Sequence, residues 1–112
     1  MRDYKLYLTD ILKAIRKINR YSKGLTYEEF KKSDLIIDAV ARNLEIIGEA
    51  TKHVPKNIRN NYPYVEWTKI SGLRDILTHE YFGIDIAILW DIIQNKLPDL
   101  KKNILRLLKE TR

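Results

Sequence analysis

Residues 38–50 read Asp-Ala-Val-Ala-Arg-Asn-Leu-Glu-Ile-Ile-Gly-Glu-Ala, and this stretch decides the fold class. Apolar residues of this stretch, together with the isoleucine directly before it, recur at steps of three and four. This is the period of an α-helix that is buried along one face. These apolar residues are Ile37, Val40, Leu44 and Ile47. A polar stripe runs beside them: Asp38, Arg42, Glu45 and Glu49. Such a stripe is typical of exposed ion pairs, each worth about 0.2–0.5 kcal/mol.

The segment before this helix shows the same period. Apolar residues from Leu8 to Ile18 line one side of a predicted helix, cations line the other, and Gly24 is a plausible stop. Residues 26–29 match a capping box, in which a hydroxyl and a carboxylate satisfy each other's backbone donors. Ser33 or Asp34 could equally cap the main helix, so its start stays open.

The segments after residue 50 predict further helices. Pro55 ends the main helix, and residues 55–66 suggest a connection with a short helical turn. A helix is predicted over residues 67–81, another is capped by Asp85 and reaches about residue 96, and Pro98 suits the start of the last one. The helix over 85–96 is apolar on nearly every side, so we expect it to be central or covered by a second chain.

Composition bounds the class of protein. The chain has 112 residues, of which 45% are hydrophobic and 32% charged, which fits one domain with a real core. With the helical periodicity, this predicts a single all-α domain over residues 1–112, an up-and-down bundle of about five helices. The absence of cysteine excludes disulfides and thiolate chemistry, and two histidines leave little material for a metal centre, so we expect no cofactor and no metal.

We expect a soluble, cytoplasmic protein with no membrane contact. The longest apolar run, residues 86–90, is far shorter than the roughly 20 residues that span a bilayer. No apolar signal core follows the first residues of the chain.

Charge is unevenly distributed. Residues 1–24 hold seven Lys and Arg against two acids, residues 101–112 hold five against one, and residues 25–100 hold nine against twelve. Basic ends could attract a polyanion such as nucleic acid. Solvated lysine-rich helix faces explain the same distribution, so charge alone does not decide between the two interpretations.

Residues 71–83, Ser-Gly-Leu-Arg-Asp-Ile-Leu-Thr-His-Glu-Tyr-Phe-Gly, concentrate the reactive side chains. On a straight helix Arg74 and Tyr81 share a face, whereas His79 lies about 140° from Arg74. Arg binds phosphate through bidentate bonds, and His exchanges protons near neutral pH. An Arg/His pair without a metal fits attack of a ribose 2′-hydroxyl on the adjacent phosphate of RNA. By spacing alone, His79 as a helix cap or packing residue remains open.

The spacing Arg74-x4-His79-x-Tyr81 resembles the signature of the HEPN superfamily and specifically of the HepT toxin family. The polar Asp75 directly after the arginine fits the superfamily pattern. Residues 38–50 are similar to the family's second-helix block, and Trp67 and residues 97–100 fall where such proteins have them. The resemblance covers nearly the whole chain.

This resemblance implies a HEPN-like helical bundle that homodimerises and cleaves RNA, either tRNA or mRNA, without a metal. Arg74 and His79 would be the catalytic pair, and Tyr81 would receive AMP from a minimal nucleotidyltransferase antitoxin of the MntA type. Asp75 could orient Arg74 or be an ordinary surface acid. Glu49 and Asp38 could line the cleft from the second helix or form exposed ion pairs.

A second hypothesis belongs to another class of protein. The chain would be a non-catalytic helical module that docks a nucleotidyltransferase, and the motif would be a recognition and modification surface. A structural adaptor without any connection to nucleic acid would leave the reactive cluster without a purpose.

Overall fold

The computed structural model describes residues 3–73, 77 and 85–111, and these residues are helical or in connections, with no strand among them. In chain order the elements are α1 Tyr4–Ser22, α2 Tyr27–Lys31, α3 Asp34–Lys52, α4 Lys56–Asn61, α5 Trp67–Ser71, α6 Ile86–Asp91, a π-helical segment Ile92–Lys96, and α7 Leu97–Glu110. The predicted all-α class is confirmed. The described part holds more helical segments than the five expected, because α2 and α4 are separate helices of five and six residues.

The core forms where α1 packs against α3. The predicted apolar stripe of α3 is buried throughout, and Val40, Leu44 and Ile47 are fully inaccessible to solvent. The stripe of α1 from Leu8 to Ile18 is buried opposite it, in the same hydrophobic cluster as residues of α5, α6 and α7. One contiguous core therefore joins the described helices.

Local chemistry sets the helix ends: Thr26 caps α2, and Ser33 caps α3, in which Asp34 is the first helical residue. Thr26 and Glu29 form the capping box of α2, with nitrogen–oxygen distances of 3.0 and 3.2 Å, and these hydrogen bonds hold the pKa of Glu29 below its usual value. Ser33 caps α3 by accepting a hydrogen bond from the backbone N–H of Ile36. Beyond α1, Gly24 adopts a φ of 77°, a conformation that favours glycine, so the predicted stop is confirmed.

The helix predicted over residues 67–81 is interrupted early. Helix α5 ends at Ser71, and Gly72 caps it by donating its N–H to carbonyls of the preceding turn. Trp67 anchors α5, because its ring is buried and its Nε1–H donates to the carbonyl of Tyr62 at 3.0 Å. Leu73 and Leu77 are helical and pack against the core.

Asp85 caps α6 as predicted, by accepting hydrogen bonds from the N–H groups of Ala87 and Ile88. The sequence predicts a boundary between two helices before Pro98. The structure has a π-helical segment there, in which the N–H of Leu97 donates to the carbonyl of Ile92. Pro98 has no N–H to donate, and its ring would clash with the carbonyl four residues earlier in a regular α-helix. The wider π turn accommodates the proline without ending the helix.

Helix α6 and the π segment contribute to the core along one side only. Leu89, Ile92 and Ile93 are buried, whereas Ile88 is 41% exposed. The apolar character predicted for residues 85–96 thus serves the core and also leaves apolar surface at α6.

We expect Leu44→Ala to lower the free energy of unfolding by about 2–5 kcal/mol, because it opens a cavity in the core between α1 and α3. Leu35→Ala on the same helix is the matched control, since Leu35 is 80% exposed, and it should change the value by less than about 0.5 kcal/mol. Urea unfolding at one protein concentration measures both. Equal losses in the two variants would contradict this assignment of the core.

Candidate functional site

The polar stripe of α3 is exposed and partly ion-paired. Arg42 Nη1 lies 3.4 Å from Glu45 Oε2, and His53 Nε2 lies 3.5 Å from Glu49 Oε1. These side chains are between about a third and three quarters exposed, so each pair stabilises the fold by at most about 1 kcal/mol. The predicted exposed ion pairing is confirmed for Arg42 and Glu45, whereas Glu49 contacts His53, which was not among the predicted partners.

His53 joins the end of α3 to the beginning of α1. It is the C-cap of α3, and its ring stacks on the Tyr7 ring with centroids 5.0 Å apart and planes 16° apart. The contact shows that α1 and α3 run antiparallel, as expected for an up-and-down arrangement. It also gives α1 and α3 a shared polar surface at this end of the pair.

An open cavity of about 450 Å³ lies at that surface. Its lining comes from α1, α3 and the cap of α3: Tyr7, Asp10, Arg42, Glu45, Ile46, Glu49, Ala50 and His53. Carboxylates, a guanidinium, an imidazole and a phenol therefore face one cavity and could bind or position a polar ligand.

The structure separates the two supporting acids proposed on α3. Glu49 lines the cavity, whereas Asp38 is exposed and not part of the lining. Their positions are 11 residues apart on one helix, which is about 16 Å along its axis. The two carboxylates therefore cannot contact the same phosphate group.

The other predicted site residues, Arg74, Asp75, His79 and Tyr81, lie outside the described residues. The described residues do position the beginning of this segment. Helix α5 packs against α3, and Leu73, directly before Arg74, packs against the core. The chain therefore enters the motif from a helix anchored to the one that carries Glu49.

The sequence pattern predicts one set of contacts at this surface but not the other. Glu49 and His53 are four residues apart, a spacing that indicates contact on a helix. Tyr7 and Asp10 come from another helix, and no local pattern indicates that they share a cavity with Glu49. His53 is the C-cap of α3.

No group of three or more His, Asp or Glu side chains among the described residues has an arrangement that could hold a metal ion. None of the helices in the described ranges has the length and apolar character to cross a membrane.

These features define a small all-helical domain in which an anchored short helix leads into an Arg-x4-His-x-Tyr segment. The family model for "Ribonuclease HepT-like" proteins matches residues 11–107. The chain belongs to the HepT-like ribonuclease family, as the motif predicted.

Individual relatives agree with this assignment. A Methanocaldococcus jannaschii protein named "Putative RNase" is 42% identical over 103 residues, covering 92% of this chain and 94% of that protein. "Probable ribonuclease HepT" of Thermococcus cleftensis is 37% identical over 108 residues, covering 96% of this chain and 98% of that protein. Ribonuclease activity is thus supported at the level of the family.

A further relative is longer than this chain. "Gamma-glutamylcyclotransferase and putative RNase" of M. jannaschii is 39% identical over 109 residues, which cover 97% of this chain but 49% of that protein. The chain therefore spans about half of that relative. No solved structure matches the chain with significance.

We expect Glu49→Gln to lower the rate of RNA cleavage by about tenfold, because it removes a negative charge from the lining of the cavity. The free energy of unfolding should fall by less than about 1 kcal/mol, because the Glu49 side chain is about half exposed. Asp38→Asn, which also neutralises an α3 carboxylate but about 16 Å away, should leave cleavage within about twofold. Initial cleavage rates and urea unfolding measure the two effects. Equal cleavage by both variants would remove Glu49 from the site.

Proposed function

We propose that the chain is the toxin of a HepT/MntA-like, type VII toxin–antitoxin pair, and that it cleaves tRNA or mRNA without a metal. The observation that carries this proposal is the family match over residues 11–107, a range that contains the complete Arg74-x4-His79-x-Tyr81 motif. We place its action in the cytoplasm, where these RNAs are found.

The chemistry follows from the two side chains. The 2′-oxygen of a ribose attacks the adjacent phosphorus, the bond from phosphorus to the 5′-oxygen breaks, and a 2′,3′-cyclic phosphate forms. One group takes the proton of the 2′-hydroxyl, and another gives a proton to the leaving 5′-oxygen. The Arg74 guanidinium stabilises the charge that develops on the phosphate oxygens. His79 carries a proton in one of the two transfers.

A homodimer completes the proposed site. The motif supplies one histidine per chain, whereas separate acid and base roles need two groups. Two motifs facing a common cleft provide both. We place the contact with the second copy at the apolar segment 85–96, where Ile88 is 41% exposed.

Tyr81 is the proposed control point. Its phenolic oxygen attacks the α-phosphorus of ATP on the antitoxin, the bond to pyrophosphate breaks, and the phenolic proton is released to solvent. The product is an AMP-tyrosine two residues from His79. Its bulk and negative phosphate would exclude the RNA phosphate from the site by sterics and like-charge repulsion.

We expect Arg74→Ala and His79→Ala to lower the RNA cleavage rate by about 10²–10⁴-fold, because each removes a group that acts in the transition state. Cleavage by the parent should persist in EDTA and leave cyclic phosphate ends. Sedimentation and circular dichroism establish that both variants remain folded dimers. Cleavage at the parental rate by either variant would refute its catalytic role.

The parental chain decides between nuclease and docking module. If purified parent binds the nucleotidyltransferase but cleaves no RNA, the chain is a non-catalytic partner. A monomer at micromolar concentration that still cleaves RNA would refute the shared cleft.

We expect incubation with the antitoxin and ATP to add AMP to the chain and to abolish RNA cleavage. Tyr81→Phe should gain no mass and keep cleaving, because the phenolic oxygen is the acceptor. Intact-mass spectrometry and the cleavage assay measure the two results. Tyr64→Phe is the control and should be modified as the parent is; a mass gain that survives in Tyr81→Phe would move the modification elsewhere.

A further inference from the structure

The outward face of α1 carries a row of cations. We call it the α1 ridge, and it consists of Lys13, Arg16, Lys17 and Arg20, all of them exposed. Steps of three, one and three place these residues on one face, opposite the buried stripe of α1, over about 11 Å of helix axis. The acids at this helix, Asp3 and Asp10, both lie towards its N-terminal end.

Within the described part of the chain, the cations of the ridge form no ion pair. No carboxylate among the described residues lies within salt-bridge distance of these four side chains, and the Arg20 guanidinium lies 5.5 Å from the centre of the Tyr21 ring. The basic C-terminal end differs. Arg106 lies 2.8 Å from Glu110 and 4.1 Å from the centre of the Tyr64 ring. At the C-terminal end one arginine is therefore ion-paired, whereas none of the ridge cations is paired among the described residues.

The ridge ends beside an open cavity of about 570 Å³. Arg20 and Lys23 line it together with Asn19 and Gln94, and no acid of the described ranges contributes to its lining. A concave surface lined by one sign of charge concentrates the electrostatic field and attracts ions of the opposite sign. The ridge and this cavity form one continuous cationic surface, because Arg20 belongs to both.

We propose that the α1 ridge binds the sugar–phosphate backbone of single-stranded RNA outside the Arg74/His79 motif. This inference rests on the proposed ribonuclease function, which supplies a polyanionic substrate. Charge complementarity favours RNA over a protein partner, since no large apolar side chain is exposed between residues 13 and 20, whereas protein interfaces have apolar centres. Phosphate contacts position a nucleic acid and are largely independent of its sequence.

The test compares two double variants that remove equal charge. Lys17→Gln/Arg20→Gln removes half of the ridge, and Lys52→Gln/Lys56→Gln removes two exposed lysines near the other end of α1. Lys52 precedes His53, which stacks on Tyr7, and Lys17 lies ten residues beyond Tyr7, about 15 Å along the axis. Glutamine keeps a helix propensity close to that of lysine and arginine.

Binding is measured by fluorescence anisotropy with a labelled 2′-O-methyl RNA, which lacks the nucleophilic hydroxyl, over a series of salt concentrations. For the ridge variant we expect roughly tenfold weaker binding at low salt, and a slope of log K against log salt that is shallower by about 1.4, since two phosphate contacts are lost. The control variant should keep the parental slope and bind within about twofold of the parent. Equal losses of affinity in both variants would show that net charge alone attracts the RNA. That result would refute the ridge as a specific binding surface.

Cleavage of unmodified RNA separates this proposal from the proposed function. The ridge variant should show a KM raised by roughly tenfold with kcat within about twofold, because binding is lost and the chemistry is kept. If the ridge variant binds and cleaves RNA as the parent does, the ridge is refuted as a binding site. The proposed ribonuclease function would be unaffected by that result. If the parent binds RNA but does not cleave it, the proposed nuclease activity is refuted. The salt dependence of binding would still show whether the ridge binds RNA.

Discussion

The burial of α1 against α3 is the constraint on which the other described features depend. Each helix has 19 residues, and each places one apolar face in a common core. Both faces are continuous at helical spacing, so the two helices can pack along their length only in a fixed rotation about their axes. That rotation determines which residues of each helix remain at the surface.

The remaining faces of the two helices have different chemical characters. The exposed side of α1 carries Lys13, Arg16, Lys17 and Arg20, while the exposed side of α3 carries acids alternating with Arg42 and ending at His53. On α3, Arg42 pairs with Glu45 and Glu49 contacts His53, whereas the ridge on α1 has no acidic partner among the described residues. Two helices with similar packing roles thus offer different surfaces to a ligand.

Local patterns predicted the helical class, the buried stripes, the stop at Gly24 and the cap at Asp85, because spacing and capping are properties of neighbouring residues. They did not resolve the interruption of the helix after Ser71 or the π turn before Pro98. The first depends on how the turn at Gly72 fits into the packed bundle. The second depends on how the bundle accommodates Pro98, which has no N–H. The stack of Tyr7 on His53 joins positions 46 residues apart, and only the tertiary fold brings them together. The motif itself was found by resemblance, which the family match confirms, whereas the roles of Arg74, His79 and Tyr81 stay predictions.

The location of charge in the sequence fits a division between attraction and chemistry. Exposed cations act over about one Debye length, roughly 8 Å at physiological salt, so they attract and orient a polyanion without needing fixed geometry. A transition-state cation needs fixed geometry and partial exclusion of water. On the proposed function these requirements fall to different segments. The ridge lies in the basic first 24 residues, and Arg74 lies in the mildly acidic middle, where the chain is anchored by Trp67 before the motif and capped by Asp85 after it. On this proposal, the excess of positive charge at the ends of the chain serves to attract RNA and does not indicate where Arg74 and His79 lie.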